Sequence, residues 1–127
     1  MTTKPLTQNI KPDGTVCTLD EYLKNGGYEG ARKAVKEMEG AAVIQAIKDS
    51  NLLGRGGAGF NTGLKWSFVR QDNPDEQRYI IANGDEMEPG TFKDRLLLEG
   101  DPHQLIEGMI IAARAINATK GFIFVRW

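Results

Sequence analysis

Two short apolar, β-branched runs constrain this chain more than anything else: RYIIA at 78–82 and FIFVR at 122–126. Neither alternates polar with apolar residues, so neither fits a strand with one wetted face. Two helical segments lie between them. FKDRLLLE at 92–99 follows Thr91, a candidate N-cap with Asp94 at N3. The next start reads Asp101 as cap, Pro102 at N1 and Gln104 at N3, and leads into QLIEGMIIAARAIN. The order strand, helix, helix, strand predicts a parallel pair in an α/β sheet buried on both faces. Two strands are too little sheet to stand alone, and Trp127 follows directly on the second run. The sequence is therefore expected to be the N-terminal part of a longer protein.

Ahead of the first strand, residues 1–20 read as an extended arm with Pro5, Pro12 and an Asp13-Gly14 turn signal. Asp20 is a candidate cap for a short helix over EYLK. EGARKAVKEM and AAVIQAIKDS predict two more helices, the second with Val43, Ile44 and Ile47 on one apolar face. A further helix is expected from Thr62 or Gly63 through GLKWSFV, with Leu64 and Phe68 on one side and Trp66 on another. RQDNPDEQ reads as a polar surface loop.

NLLGRGGAGFNTGLKW places five glycines in sixteen positions, and Gly54, Gly56 and Gly59 satisfy the spacing G-x-G-x-x-G. A Rossmann fingerprint needs a strand before its first glycine, yet a helical segment precedes this one. No Gly-Lys-Ser/Thr follows Gly59, so the loop is not a P-loop. Two readings stay open. One is a loop that lets a planar ring or a phosphate approach bare backbone, with Arg55 and Lys65 as cations and a helix start aimed at the same space. The other is a helix C-cap with tight packing, which explains Gly54 better than the remaining glycines. Downstream, NGDEMEPGTFKDR offers an amide and three carboxylates, Asn83 to Glu88, directly after a strand. Ligands bind at that end of parallel strands, and carboxylates suit ribityl or ribose hydroxyls. A solvated acidic turn is the plain alternative, and a metal site is disfavoured without an adjacent histidine.

Sixteen basic and seventeen acidic residues leave a net charge of −1, with no cationic surplus for nucleic acid. No apolar run approaches the roughly 18 residues of a membrane helix; Met109 to Ile116 is interrupted by Arg114. The first residues have no signal-peptide pattern, so a cytoplasmic location is the default. Cys17 and His103 are the only residues of their kinds, which excludes a multi-cysteine metal centre built from this sequence and argues against a Cys–His dyad or a His-based metal site. His103 is expected as a partly exposed residue in a first helical turn.

GRGGAGFNTGLKW, NGDEMEPGTFKDR, GDPHQLIEGM and GFIFVRW, in this order, resemble the flavin-bearing, NADH-binding subunit of bacterial respiratory complex I. The resemblance runs from about Tyr22 to the last residue. Diaphorase subunits of NAD-reducing hydrogenases and of NAD-dependent formate dehydrogenases are similar, although Lys93 before Asp94 looks more like the respiratory form. The resemblance implies that residues 21–127 are the N-terminal part of a Rossmann-like FMN-binding α/β domain. In the family a second half of the flavin site, a ubiquitin-like domain and a [4Fe–4S] domain follow. It implies that Gly54, Arg55, Gly56, Gly57 and Ala58 wrap the flavin, with Lys65, Asn83, Asp85 and Glu86 as polar partners. Phe60, Phe68 and Glu88 are expected to face the NAD(H) dinucleotide, and Gly59, Asn61, Thr62 and Gly63 complete the cofactor-binding segment. The implied chemistry is hydride transfer from NADH to FMN, then single-electron release through iron–sulfur clusters to quinone, with no catalytic side chain and no metal ligand here. The implied partners are a thioredoxin-like [2Fe–2S] subunit and the iron–sulfur-chain subunit of complex I, with membrane attachment only through the complex. A non-catalytic module of the same shape is the third reading. Asn61, where such loops often carry Pro or Ser, and Gly84, where Ala or Ser is common, are small departures.

Overall fold

A computed structural model describes residues 4–126. Six helices and two strands follow in the order α1 (Leu19–Lys24), α2 (Glu29–Glu37), α3 (Gly40–Asp49), α4 (Thr62–Ser67), β1 (Tyr79–Gly84), α5 (Lys93–Gly100), α6 (Pro102–Ile116) and β2 (Lys120–Val125). Among these residues no helix is long and apolar enough to cross a membrane.

The strands pair in parallel, from Tyr79 opposite Lys120 to Gly84 opposite Val125, as the element order predicts. Burial on both faces is not observed. Ile80, Ala82 and Gly84 lie half-buried on the helical side. On the other face Tyr79, Ile81, Phe122 and Phe124 are 49%, 66%, 55% and 55% exposed. The reason is topological: α5 and α6 form the crossover between the two strands, so both sit on one face. The remaining helices pack chiefly on α6 and on one another instead of crossing to the open face. Trp127, which follows directly on the second run, lies outside the described residues, as do residues 1–3.

The core forms where α2, α3 and α6 meet. Ala34, Val43, Ile44, Ala115 and Ile116 are buried together, and Trp66, Ile80 and Ile111 pack around them. Trp66 thus turns inward from α4 while Leu64 and Phe68 stay exposed. Val43 and Ile44 behave as the helical spacing predicts. The polar loop at 70–77 is organised by a buried cation: the Arg78 guanidinium donates to the carbonyls of Arg70 (2.9 Å) and Asn73 (2.8 Å).

The predicted helix caps divide into one that the sequence places correctly and two that it does not. At α6, Asp101 Oδ1 accepts from the Gln104 N–H at 3.2 Å and Pro102 follows the cap. At α1, Thr18 replaces Asp20 as the cap. Glu21 Oε2 accepts from the Thr18 N–H while Thr18 Oγ1 accepts from the Glu21 N–H, a reciprocal pair that Asp20 has no partner to form. At α5, Thr91 is not the cap either. Its hydroxyl donates to the Glu88 carbonyl at 2.6 Å, which closes the preceding turn, and Phe92 occupies the cap position without a side-chain hydrogen bond. The arm also departs from the extended form. Asn9 donates to Asp101 at 2.8 Å, Gln104 donates to the Pro5 carbonyl at 2.9 Å, and Cys17 is buried. These contacts bend the arm against the start of α6.

Glu107 is the polar staple of the helical layer. Tyr28 starts α2 in a left-handed conformation and offers no side-chain cap. Instead, Glu107 on α6 accepts from the N–H groups of Tyr28 (2.8 Å) and Ala31 (3.0 Å) and from the Tyr22 hydroxyl. His103, half-buried in the first turn of α6 as expected, stacks on Tyr22 and meets the Tyr28 hydroxyl at 3.1 Å. Burial alone would raise the Glu107 carboxyl. The hydrogen bonds from Tyr22 and from the α2 N–H groups outweigh it and hold the group below its ordinary value of 4.5. A depressed carboxyl stabilises the fold above the unfolded-state pKa, and this contribution is lost as pH falls through the folded value. Glu107→Ala is expected to destabilise the protein by about 3 kcal/mol, the sum of a lost cap and orphaned buried donors. Urea unfolding at neutral pH measures this, and an unchanged midpoint would show that Glu107 does not hold α2.

Candidate functional site

The glycine loop is a closed excursion. Leu53 and Asn61 form an antiparallel bridge, Gly54 N–H donates to the Phe60 carbonyl at 2.8 Å, and Thr62 N–H to the Leu52 carbonyl at 2.8 Å. Gly54 therefore sits at the neck and is not a helix cap; Asn51, at φ 52°, takes the left-handed position after α3. Beyond the neck, Gly57 and Gly59 adopt φ 133° and 62°, conformations in which other residues are strained. At Gly56, Gly57 and Gly59 a Cβ would meet nothing within 4 Å, so this side of the loop is open space.

The residues after the neck have local reasons of their own. Asn61 Oδ1 accepts from the Leu64 N–H at 2.8 Å and caps α4. Gly63 is buried, and a Cβ there would come within 2.9 Å of the Ile44 carbonyl oxygen and 2.5 Å of the Lys48 nitrogen. Its missing side chain is thus accounted for by the close approach of α4 to α3. Phe60 and Phe68 form a tilted pair, ring centres 6.2 Å apart, on exposed surface.

Beyond β1, consecutive residues of the acidic turn are tied to different elements. Asp85 Oδ1 accepts from Arg126 Nε at 2.8 Å, and Met87 Sδ lies 2.9 Å from Arg126 Nη2. Glu86 Oε2 accepts from the Arg95 N–H of α5 at 3.1 Å. Its other oxygen, Oε1, is buried without a hydrogen-bond partner, and the nearest cation, Lys93, stands 3.9 Å away. Lys93 also pairs with Asp94 at 2.8 Å, which holds its ammonium pKa above the ordinary value. Glu88 is exposed.

Two cavities flank the carboxyl end of the sheet. One, of about 270 Å³, brings Arg55 and Gly56 together with Asn83 and with Lys93 and Asp94 of α5. The other, of about 560 Å³, is lined by Glu86, Thr91, Arg95 and Arg126. Of the positions singled out in the sequence, Arg55, Gly56, Asn83 and Glu86 thus line these spaces; Asp85 lines neither but is bonded to Arg126, which lines the larger. Gly54, Gly57, Ala58, Gly59, Phe60, Asn61, Thr62, Gly63, Lys65, Phe68 and Glu88 line neither. Lys93, Asp94 and Arg126 were not singled out as site residues. The Lys93-Asp94 pair begins a helix after the strand, a recognisable signal; Arg126 at the end of the second strand gave none.

The decisive comparison is with a family model. Residues 47–127 match the Nuo51 FMN-binding domain. The chain belongs to this family. It is 52% identical over 124 residues to the F subunit of NADH-quinone oxidoreductase in Escherichia coli, covering 98% of this chain and 28% of that protein. It is 53% identical over 111 residues to the corresponding F subunit in Aquifex aeolicus, covering 87% of this chain and 25% of the relative. The chain thus spans about a quarter of the length of these relatives. Among solved structures, an NAD+-reducing [NiFe]-hydrogenase superposes with a TM-score of 0.69 at 43% identity, over 89% of this chain and 20% of the matched one. The expected α/β fold and family membership agree with these findings.

Proposed function

We propose that the glycine loop and the acidic turn form one wall of an FMN and NADH site in a NADH-oxidising flavoprotein subunit. The role is that of the F subunit in NADH-quinone oxidoreductase. The observation that carries this reading is the convergence of Arg55, Gly56 and Asn83 on one cavity at the carboxyl end of β1, where parallel sheets take their ligands. The residues fit the cofactor. The open side of Gly56, Gly57 and Gly59 admits a flat ring, and the unpartnered Glu86 Oε1 suits a hydroxyl donor.

Bound there, FMN would supply the redox chemistry, hydride acceptance from NADH and single-electron release toward iron–sulfur clusters and quinone. The chain's own residues bind and orient. Gly54, Arg55, Gly56, Gly57 and Ala58 wrap the flavin, Arg55 as a cation beside the cavity. Lys65, Asn83, Asp85 and Glu86 hold its polar atoms. Phe60 and Phe68 offer aromatic surface to the dinucleotide, and Glu88 offers a carboxylate to its ribose hydroxyls. Residues 21–127 would be the first part of the FMN domain. The coverage of the relatives supports this, with the rest of the flavin site and a [4Fe–4S] cluster held elsewhere. The partners that accompany this role are a thioredoxin-like [2Fe–2S] subunit and the iron–sulfur-chain subunit, which place the protein at the cytoplasmic side of the membrane only through the complex. The likeness to an NAD+-reducing hydrogenase favours a second reading, a diaphorase with the same flavin chemistry and a different electron acceptor.

Glu88 provides the test of the dinucleotide side. On this reading its carboxylate accepts from ribose hydroxyls and repels a 2′-phosphate, so Glu88→Gln is expected to shift the NADH/NADPH preference by about ten-fold. FMN content should stay at the wild-type level. An unchanged preference would remove Glu88 from the site.

A further inference from the structure

We propose that Arg126 is a positioning residue for the flavin-binding turn, acting through Asp85. The inference rests on the reading of Asp85 as an FMN partner. Gly84 and Val125 are the last pair in the parallel register, so Asp85 and Arg126 emerge side by side at the carboxyl end of the sheet. The Asp85 side chain is only 8% exposed, a poor environment for a carboxylate without a cation. Arg126 Nε supplies one at 2.8 Å, and among the described residues it is the only cation paired with Asp85. The second arm of the same guanidinium reaches Met87 Sδ at 2.9 Å. Arg126 therefore grips the first and third residues of the turn, while the Arg95 N–H of α5 grips the second, Glu86, at 3.1 Å.

The division of contacts explains how the turn can be preorganised. Asp85 Oδ1 is committed to Arg126, and Asp85 Oδ2 makes no hydrogen bond among the described residues. This second oxygen is the one left to accept from a ligand hydroxyl. Without the guanidinium, the buried carboxylate loses both its orientation and its counter-charge. A charge-assisted hydrogen bond of this kind fixes geometry as well as energy. Arg126 touches no reacting atom in this arrangement.

The test is a double-mutant cycle in the full-length flavoprotein subunit, read as the FMN dissociation constant on reconstitution of apoprotein and followed by flavin fluorescence. Arg126→Met is expected to weaken FMN binding about ten-fold, and Arg126→Lys to restore most of the loss because a cation returns. Asp85→Asn should weaken binding similarly, and the double variant should be no worse than Asp85→Asn alone. Full additivity would overturn the proposal. So would wild-type affinity in Arg126→Met beside a weakened Asp85→Asn, which leaves the reading of Asp85 standing. Wild-type affinity in Asp85→Asn would overturn the proposal together with that reading. A loss in Arg126→Met that Arg126→Lys does not recover, matched by a lower apoprotein melting temperature, would assign Arg126 a purely structural role and overturn the proposal as well.

Discussion

Substituting Gly56 by valine is expected to strip FMN from the full-length subunit while leaving its unfolding midpoint unchanged. Gly56 lines the cavity shared with Arg55 and Asn83, and a Cβ built on it meets nothing within 4 Å. Its φ lies outside the left-handed range, so a side chain adds no backbone strain there. The new side chain therefore starts into open space and occupies the room that a ligand needs. Gly57 differs. At φ 133° a valine there is strained before any ligand binds, by roughly 1–3 kcal/mol. Gly57→Val should lose flavin too, but with a lower melting temperature. Flavin absorbance of the purified variants, beside their thermal unfolding, separates the two effects. A yellow Gly56→Val protein would show that the open side of the loop does not receive the flavin.

The 127-residue chain expressed by itself is expected to self-associate and to retain no FMN. Tyr79, Ile81, Phe122 and Phe124 form a continuous apolar face about half exposed to water. Covering such side chains contributes about 1.5–3 kcal/mol each, while a whole domain is stable by only about 5–15 kcal/mol. Leaving four of them wet, on a two-stranded sheet with unpaired edges, removes a large share of that margin and offers a template for association. The proposed flavin site is also one-sided, because Arg55 and Gly56 of the glycine loop and Glu86 of the acidic turn line open cavities. Size-exclusion chromatography, dye binding and flavin absorbance on the isolated chain test this. A monomeric, cooperatively melting, yellow protein would contradict it.

What could be read from the sequence was whatever local chemistry decides. Asp101, Pro102 and Gln104 start α6 by contacts within one turn, and the parallel pairing follows from two apolar runs separated by a helical crossover. What could not be read depended on distant partners. The staple from Glu107 to α2 joins residues 79 and 76 positions apart, and an isolated Glu in an apolar helix carries no mark of it. Arg126 reaches Asp85 across 41 positions by strand register alone. At Gly63 the bare Cα serves α3–α4 packing, a use that looks the same in a sequence as an open loop glycine. Apolar character in β2 reported that its faces need cover without saying what supplies it. In the candidate site the glycine loop and acidic turn stood out as motifs. Lys93 and Asp94 became part of the cavity wall only when α5 was set beside β1.

The central claim is that these residues hold a flavin that NADH reduces. The most direct measurement is the flavin absorbance of the full-length subunit, purified and titrated anaerobically with NADH. The expected result is a yellow protein, stoichiometric in FMN, whose oxidised flavin band disappears with the first equivalents of NADH. A flavin-free protein, or a bound flavin that NADH leaves oxidised, would contradict the account.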